Sequence, residues 1–191
     1  MAEPAGTDPP YAPERESFGS FTHQEIWDRV HAVLDPGALA AAAAAWQSNA
    51  DAVAEAFAVF TDTTRREFER WSGHSANAAR QATREFLARG DETHEACRAL
   101  QRLMEGNTEA AQTLRSALAP PQPYRPLDDP AAEAVHGGRR RMDHDIAAAA
   151  AAADAQDAMN SIYNPTLPAS GDRVPRFPGT STGTGGGSPR R

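Results

Sequence analysis

Two stretches of the sequence, 39–71 and 79–118, carry apolar or small residues in a seven-residue rhythm. The first stretch has two such rows, Leu39, Trp46, Val53 and Phe60, and then Ala50, Phe57, Thr64 and Trp71. Paired rows with this spacing are typical of helices that pack along a narrow seam. At a rise of about 1.5 Å per residue the first helix would be about 50 Å long. The pattern therefore predicts an elongated all-α protein.

The second stretch repeats the rhythm after a break of a few residues. Its seam residues are Ala79, Thr83, Phe86, Gly90, Thr93, Cys97, Leu100, Met104, Asn107, Ala111, Leu114 and Leu118. A connection of about three residues lets two helices lie side by side in antiparallel orientation. In the connection Trp71-Ser72-Gly73, Gly73 is suited to a left-handed backbone that ends the first helix, and Ser75 is suited to cap the next. The sequence thus predicts a helical hairpin with a W-x-G turn.

Two further helices flank this hairpin. Thr22 and Glu25 form a capping-box pattern, which predicts a short N-terminal helix that ends near Leu34. After the proline-rich segment 119–130, an alanine-rich helix is predicted over about 139–163 and is expected to return along the hairpin. The whole is expected to be an antiparallel helical bundle.

Segments rich in Pro, Gly and Ser lie at both ends of the chain. Such segments bury too little apolar surface to offset the entropy lost on folding. We therefore predict a disordered arm over 1–20, a helical domain over 21–163 and a disordered tail over 164–191.

The composition argues against a wide core and a substrate pocket. Forty residues are Ala, which combines high helix propensity with a small side chain, whereas Phe and Tyr together number ten. Slender helices of this kind leave little volume for a concave site, so we predict a non-enzymatic protein without catalytic residues. The net charge of −7 also disfavours nucleic acid as a partner.

Residues able to hold a metal ion are scattered. The six His form no HxxxH pair, and Cys97 is the single cysteine, so neither a metal site nor a cofactor is expected. Cys97 is interpreted as a small seam residue. No apolar run reaches 18 residues, so no transmembrane segment is predicted.

Trp71-Ser72-Gly73 at the predicted turn, preceded by the alanine run that ends at Trp46, resembles the WXG superfamily of type VII (ESX) secretion substrates of actinobacteria. The likeness covers about 22–118 and is greatest to the PPE-like branch, in which a short helix and an alanine run with a Trp precede the hairpin. The chain has Pro9-Pro10-Tyr11 where PPE proteins carry Pro-Pro-Glu, so the resemblance is to PPE-like proteins.

The resemblance implies export of a folded helical dimer that acts by helix-helix binding. Trp71 and Gly73 are then secretion-signal candidates, and Tyr124 with Asp128 fits the family's Tyr-x-x-x-Asp/Glu signal; the alternative for Tyr124 is that it anchors the proline-rich loop. The implied partners are a small PE-like or WXG-like helical hairpin or a second copy, the type VII machinery and a dedicated chaperone. The protein would be cytoplasmic before export and afterwards secreted or associated with the cell envelope.

Partner packing is expected on large apolar side chains of the hairpin, at Trp46, Val53, Phe57, Phe60 and Phe86. The alternative function is an intracellular homo-oligomeric coiled-coil scaffold, which uses the same heptads and gives the turn no special role.

Overall fold

The computed structural model describes residues 16–179, and this part of the chain is helical with no β-strand. Three long helices dominate it, as the all-α prediction requires. The elements in chain order are α1 (His23–Val33), α2 (Pro36–Phe68), α3 (His74–Ala117), α4 (Pro130–Ala158), a π-helical turn (Met159–Tyr163), α5 (Asn164–Ser170) and a 3-10 turn (Gly171–Arg173).

The capping box predicted for the first helix is confirmed. The Thr22 backbone N–H donates to the Glu25 carboxylate at 2.8 Å, and the Glu25 N–H donates to the Thr22 hydroxyl at 3.3 Å. Two of the N–H groups that a helix start leaves without partners are satisfied in this way. At the other end of α1, Arg115 donates to the carbonyl oxygen of Leu34 at 2.6 Å.

The chain divides into two compact units, and helices α2 and α3 contribute to both. Within the described residues, the first unit contains Ala44–Gln101 and 174–179. The second contains Arg102–Arg173 and the segment that ends at Ala43.

The core of the second unit is built around α1, the end of α3 and the end of α4. Its buried residues are Phe18, Ile26, Val30, Leu114, Leu118, Ala155 and Met159. Phe18 corrects the predicted arm over 1–20: it is 3% exposed, and its ring meets Tyr163 edge to face at 5.6 Å. Burial of a large aromatic ring favours packing of an otherwise polar segment against the core. Residues 1–15 of the predicted arm lie outside the described part.

Helix α5 corrects the tail predicted from residue 164. Pro165 follows directly on the π-helical turn Met159–Tyr163, where the regular α-helical hydrogen-bond pattern is already interrupted. A long-range pair of side chains fixes the helix end, since the Asn107 amide donates to the buried Ser170 hydroxyl at 3.0 Å. Ordered structure thus continues past Tyr163, and the predicted tail over 180–191 lies outside the described residues.

Helix α4 begins earlier than the sequence predicted. Asp129 caps it by accepting a hydrogen bond from the Ala131 N–H at 2.9 Å, and Pro130 occupies the first turn. The helix then runs through Gly137 and Gly138 without a break, although glycine is a weak helix former. Gly137 is buried beneath the Glu133 side chain, so the missing Cβ leaves room for that contact.

Contacts between α2 and α3 in the first unit follow a regular order. Gln47 accepts a hydrogen bond from Arg98 at 3.0 Å, the Phe57 ring lies over Gly90, and the Phe68 carbonyl accepts from Arg80 at 2.6 Å. Residues later in α2 therefore meet residues earlier in α3. Gly90 allows a close approach of the two helices, because a Cβ at this position would overlap the Phe57 ring.

The contact between Phe57 and Gly90 predicts opposite effects for two glycine substitutions in α3. Gly90→Ala gains helix propensity but forces the Phe57 ring out of place, so we expect a net loss of about 1 kcal/mol in the free energy of unfolding. Gly106→Ala meets nothing within 4 Å and should stabilise the protein by about 0.5–1 kcal/mol. Urea unfolding followed by circular dichroism measures both, and a stabilising Gly90→Ala would contradict the packing argument.

Candidate functional site

The connection between α2 and α3 is shaped by Gly73. Its φ of +92° is left-handed, as expected, and costs a residue with a Cβ about 1–2 kcal/mol. Its carbonyl accepts from the Asn77 N–H at 3.2 Å, so Gly73 lies at the start of α3. The prediction that Gly73 directly ends the first helix and that Ser75 caps the next is therefore wrong: α2 ends at Phe68, and Ser75 lies within α3.

The end of α2 is held by Arg80, a residue that the heptad pattern did not single out. Its guanidinium donates to the carbonyl of Phe68 at 2.6 Å and to that of Trp71 at 2.8 Å. It also donates to the Asn77 side chain at 3.2 Å. Because the last carbonyls of a helix have no partner within the helix, these bonds fasten α2 to α3.

Trp71 projects from this connection. Its ring meets Phe68 edge to face at 5.9 Å between centroids, and the residue remains 52% exposed. Half of a large aromatic side chain is thus open to solvent, next to a backbone fixed by Gly73 and Arg80.

The partner-packing candidates make aromatic contacts within the first unit. Phe57 and Phe60 each lie 5.1 Å from Phe86, which itself stays 43% exposed. Trp46 stacks on Phe177 at 6.1 Å, a contact that places part of the predicted tail in this unit. Val53 is partly exposed and lines a groove with Phe57.

Tyr124 lies in the second unit and is bound to α4. Its hydroxyl donates to the Glu133 carboxylate at 2.8 Å and approaches the Gly137 carbonyl at 3.3 Å. Arg141 lies over the ring at 4.9 Å, and His144 meets it edge to face at 5.5 Å.

Asp128, the other half of the Tyr-x-x-x-Asp pattern, is exposed in the irregular segment before α4. The segment from Tyr124 to Asp128 is not helical, so the two side chains do not share a helical face. These contacts favour the alternative in which Tyr124 anchors the proline-rich loop.

The charges around Tyr124 shift three pKa values. The Leu127 N–H bound to Glu133, followed by the Tyr124 hydroxyl, holds the pKa of that carboxyl below its ordinary 4.5. The same carboxylate raises the pKa of Tyr124. The Gln122 carbonyl, which accepts from His144 at 2.9 Å, and then Asp145 raise the pKa of His144.

The roles of two central residues of these sites, Arg80 and Glu133, were not predicted from the sequence. Both are charged residues, for which a solvent-exposed side chain is the usual expectation, and Glu133 also precedes the helix that was predicted over about 139–163. Their roles depend on bonds to residues 9–12 positions away, and neither the heptad rhythm nor a helix-cap motif signals such bonds.

Reactive groups are few in the described part of the chain. Within 16–179 no three His, Cys, Asp or Glu side chains come together as a metal site. Cys97 is buried, and burial raises the pKa of its thiol, which disfavours the nucleophilic thiolate. None of the helices described has the length and apolar character needed to cross a bilayer.

Comparison of the chain with protein-family models, with curated proteins and with solved structures gives no match in any of the three. The functional argument therefore rests on the residues and contacts described above.

The bonds of Arg80 predict a stability role for this residue. Arg80→Met keeps the aliphatic stem but removes the donors to two carbonyls, and should lower the free energy of unfolding by about 1–3 kcal/mol. Arg84→Met is the matched control, since Arg84 is exposed and donates to Gln81 in its own helix. Its effect should stay within about 0.5 kcal/mol. Equal effects of the two substitutions in urea unfolding would contradict the capping role.

The raised pKa of His144 predicts a pH-dependent contribution to stability. The folded chain holds this proton more tightly, so the contribution is complete below about pH 6.5 and is lost as the pH rises through the raised pKa. Glu133 acts in the opposite sense: its contribution is present above about pH 4.5 and is lost as the pH falls through its lowered pKa.

Thermal unfolding from about pH 6 to about pH 9 tests the His144 contribution. The unfolding temperature of His144→Gln should fall less over this range than that of the wild type. His74→Gln, at an exposed position in α3, is the control and should follow the wild type. If the unfolding temperature of His144→Gln changed with pH in the same way as that of the wild type, the bond between His144 and Gln122 would be ruled out as a source of pH dependence.

Proposed function

We propose that the protein is a non-enzymatic, type VII (ESX) secretion-associated protein of the PPE-like kind, which acts by helix-helix binding. In this proposal α2 and α3 form the helical hairpin, and Trp71-Ser72-Gly73 is its W-x-G turn. The order of contacts from Gln47–Arg98 to Phe68–Arg80 supports the hairpin.

The observation that carries the proposal is the exposed Trp71 on a fixed backbone. A large aromatic side chain that is half exposed is a typical anchor for a protein partner. Gly73 sets the backbone and Arg80 fastens the helix end, so the backbone that carries the indole is already ordered and loses less entropy on binding.

The partner is proposed to be a small helical hairpin of the PE-like or WXG-like kind, or a second copy of the chain. Phe86 and Val53 leave apolar surface open in the first unit, which suits the packing of another helix. Since the Tyr124 hydroxyl is bound to Glu133, we propose that the partner supplies the tyrosine motif of the composite signal.

Export measured in culture filtrate of a host with a type VII system tests the proposal. Trp71→Ala removes the exposed indole and one edge contact with Phe68, so helicity should be retained while export falls by about tenfold or more. Gly73→Ala also strains the backbone, which makes the single Trp71 variant the cleaner test.

Val59→Ala is the matched control, because Val59 is an apolar residue in the same unit that is 62% exposed. It should be exported like the wild type. Normal export of Trp71→Ala would overturn the role of Trp71, and a wild-type chain that stays in the cell would favour the coiled-coil scaffold.

A further inference from the structure

Helix α4 carries a second apolar face, opposite to the one that it buries. The two buried residues of α4, Gly137 and Ala155, lie on one side of the helix, 18 positions apart. The outer face of α4 consists of exposed apolar residues that recur at helical spacing: Val135, Met142, Ile146, Ala149, Ala150 and Ala153. Val135 is 74% exposed, Met142 58% and Ile146 63%.

This exposure needs an explanation, because the residues that α4 buries, Gly137 and Ala155, lie on its other side. Three large apolar side chains in one row on the surface are typical of a helix that packs against another helix. The alanines that continue the row leave space for large side chains of an opposing helix.

Opposite charges lie on either side of the part of the outer face from Met142 to Ala153. Arg139 and Asp157 are 18 positions apart, which at about 3.6 residues per turn is about five full turns, so both lie in line with Ile146. Both are exposed. Within the helix Arg139 lies 4.0 Å from Asp143, with both side chains exposed, and such a pair contributes little and is readily given up.

We infer that the outer face of α4 is a self-association surface, on which a second copy of this chain packs its own α4 in antiparallel orientation. This arrangement places Arg139 of each copy opposite Asp157 of the other, which gives two ion pairs related by two-fold symmetry. Position 148 lies midway between Arg139 and Asp157, so the two-fold axis passes next to it. Ile146 of one copy then meets Ala150 of the other. A parallel pairing in register would instead bring Arg139 against Arg139.

The inference does not depend on export, since it concerns the oligomeric state of the purified chain. Analytical ultracentrifugation of the full-length protein from about 1 µM to about 1 mM should show a reversible monomer–dimer equilibrium. Arg139→Asp and Asp157→Arg should each weaken dimerisation by about tenfold or more, because each turns two attractive pairs into repulsive ones. The double variant, which exchanges the charges, should restore the wild-type dissociation constant to within about threefold.

Ile146→Asp places a charge in the centre of the face and should abolish the dimer. The control is the pair Arg102→Asp and Glu109→Arg, exposed residues of α3 with the same changes of charge. These variants, singly and together, should dimerise like the wild type. Circular dichroism confirms folding for each variant.

A wild-type chain that stays monomeric over the whole range would overturn the inference. So would a dimer that is indifferent to Ile146→Asp, or a charge exchange that fails to restore association.

Discussion

The carbonyl groups at the ends of α1 and α2 need hydrogen-bond donors from outside their own helices, and the rest of the structure depends on how this need is met. Each helix end receives a donor from an arginine of α3: Arg115 binds the Leu34 carbonyl, and Arg80 binds those of Phe68 and Trp71. A planar guanidinium can reach two carbonyls at once, which a lysine ammonium does less well. These bonds compensate for the shortage of large apolar side chains, because alanine-lined contacts alone give little directional preference.

Helices were predictable here wherever a local pattern encodes them. The seven-residue rhythm predicted α2 and α3, and the capping box placed the start of α1. The contacts that were not predictable join residues far apart in sequence, such as Asn107 with Ser170. A Ser in a proline-rich segment indicates a loop by composition, and only its distant partner makes the end of α5 favourable.

The candidate site shows the same division between local and distant information. The left-handed backbone of Gly73 followed from its place between two helices, whereas the role of Tyr124 depends on Glu133, nine positions later. A two-residue pattern such as Tyr-x-x-x-Asp does not indicate whether the tyrosine hydroxyl is already hydrogen-bonded within the chain. The surrounding charges decide this, because a carboxylate that accepts both the Tyr124 hydroxyl and the Leu127 N–H fixes the loop to α4.

Trp71 differs from the other large residues in how little the fold requires it. Its ring makes one edge contact with Phe68, a pair that contributes about 0.5–1.5 kcal/mol, while its carbonyl, which any residue would supply, accepts the bond from Arg80. The backbone at the turn is set by Gly73, so a smaller side chain at position 71 would leave the connection intact. A large indole that is half exposed and contributes little to folding fits the binding role proposed for Trp71, and in that proposal recognition at Trp71 is separate from stability at Gly73 and Arg80.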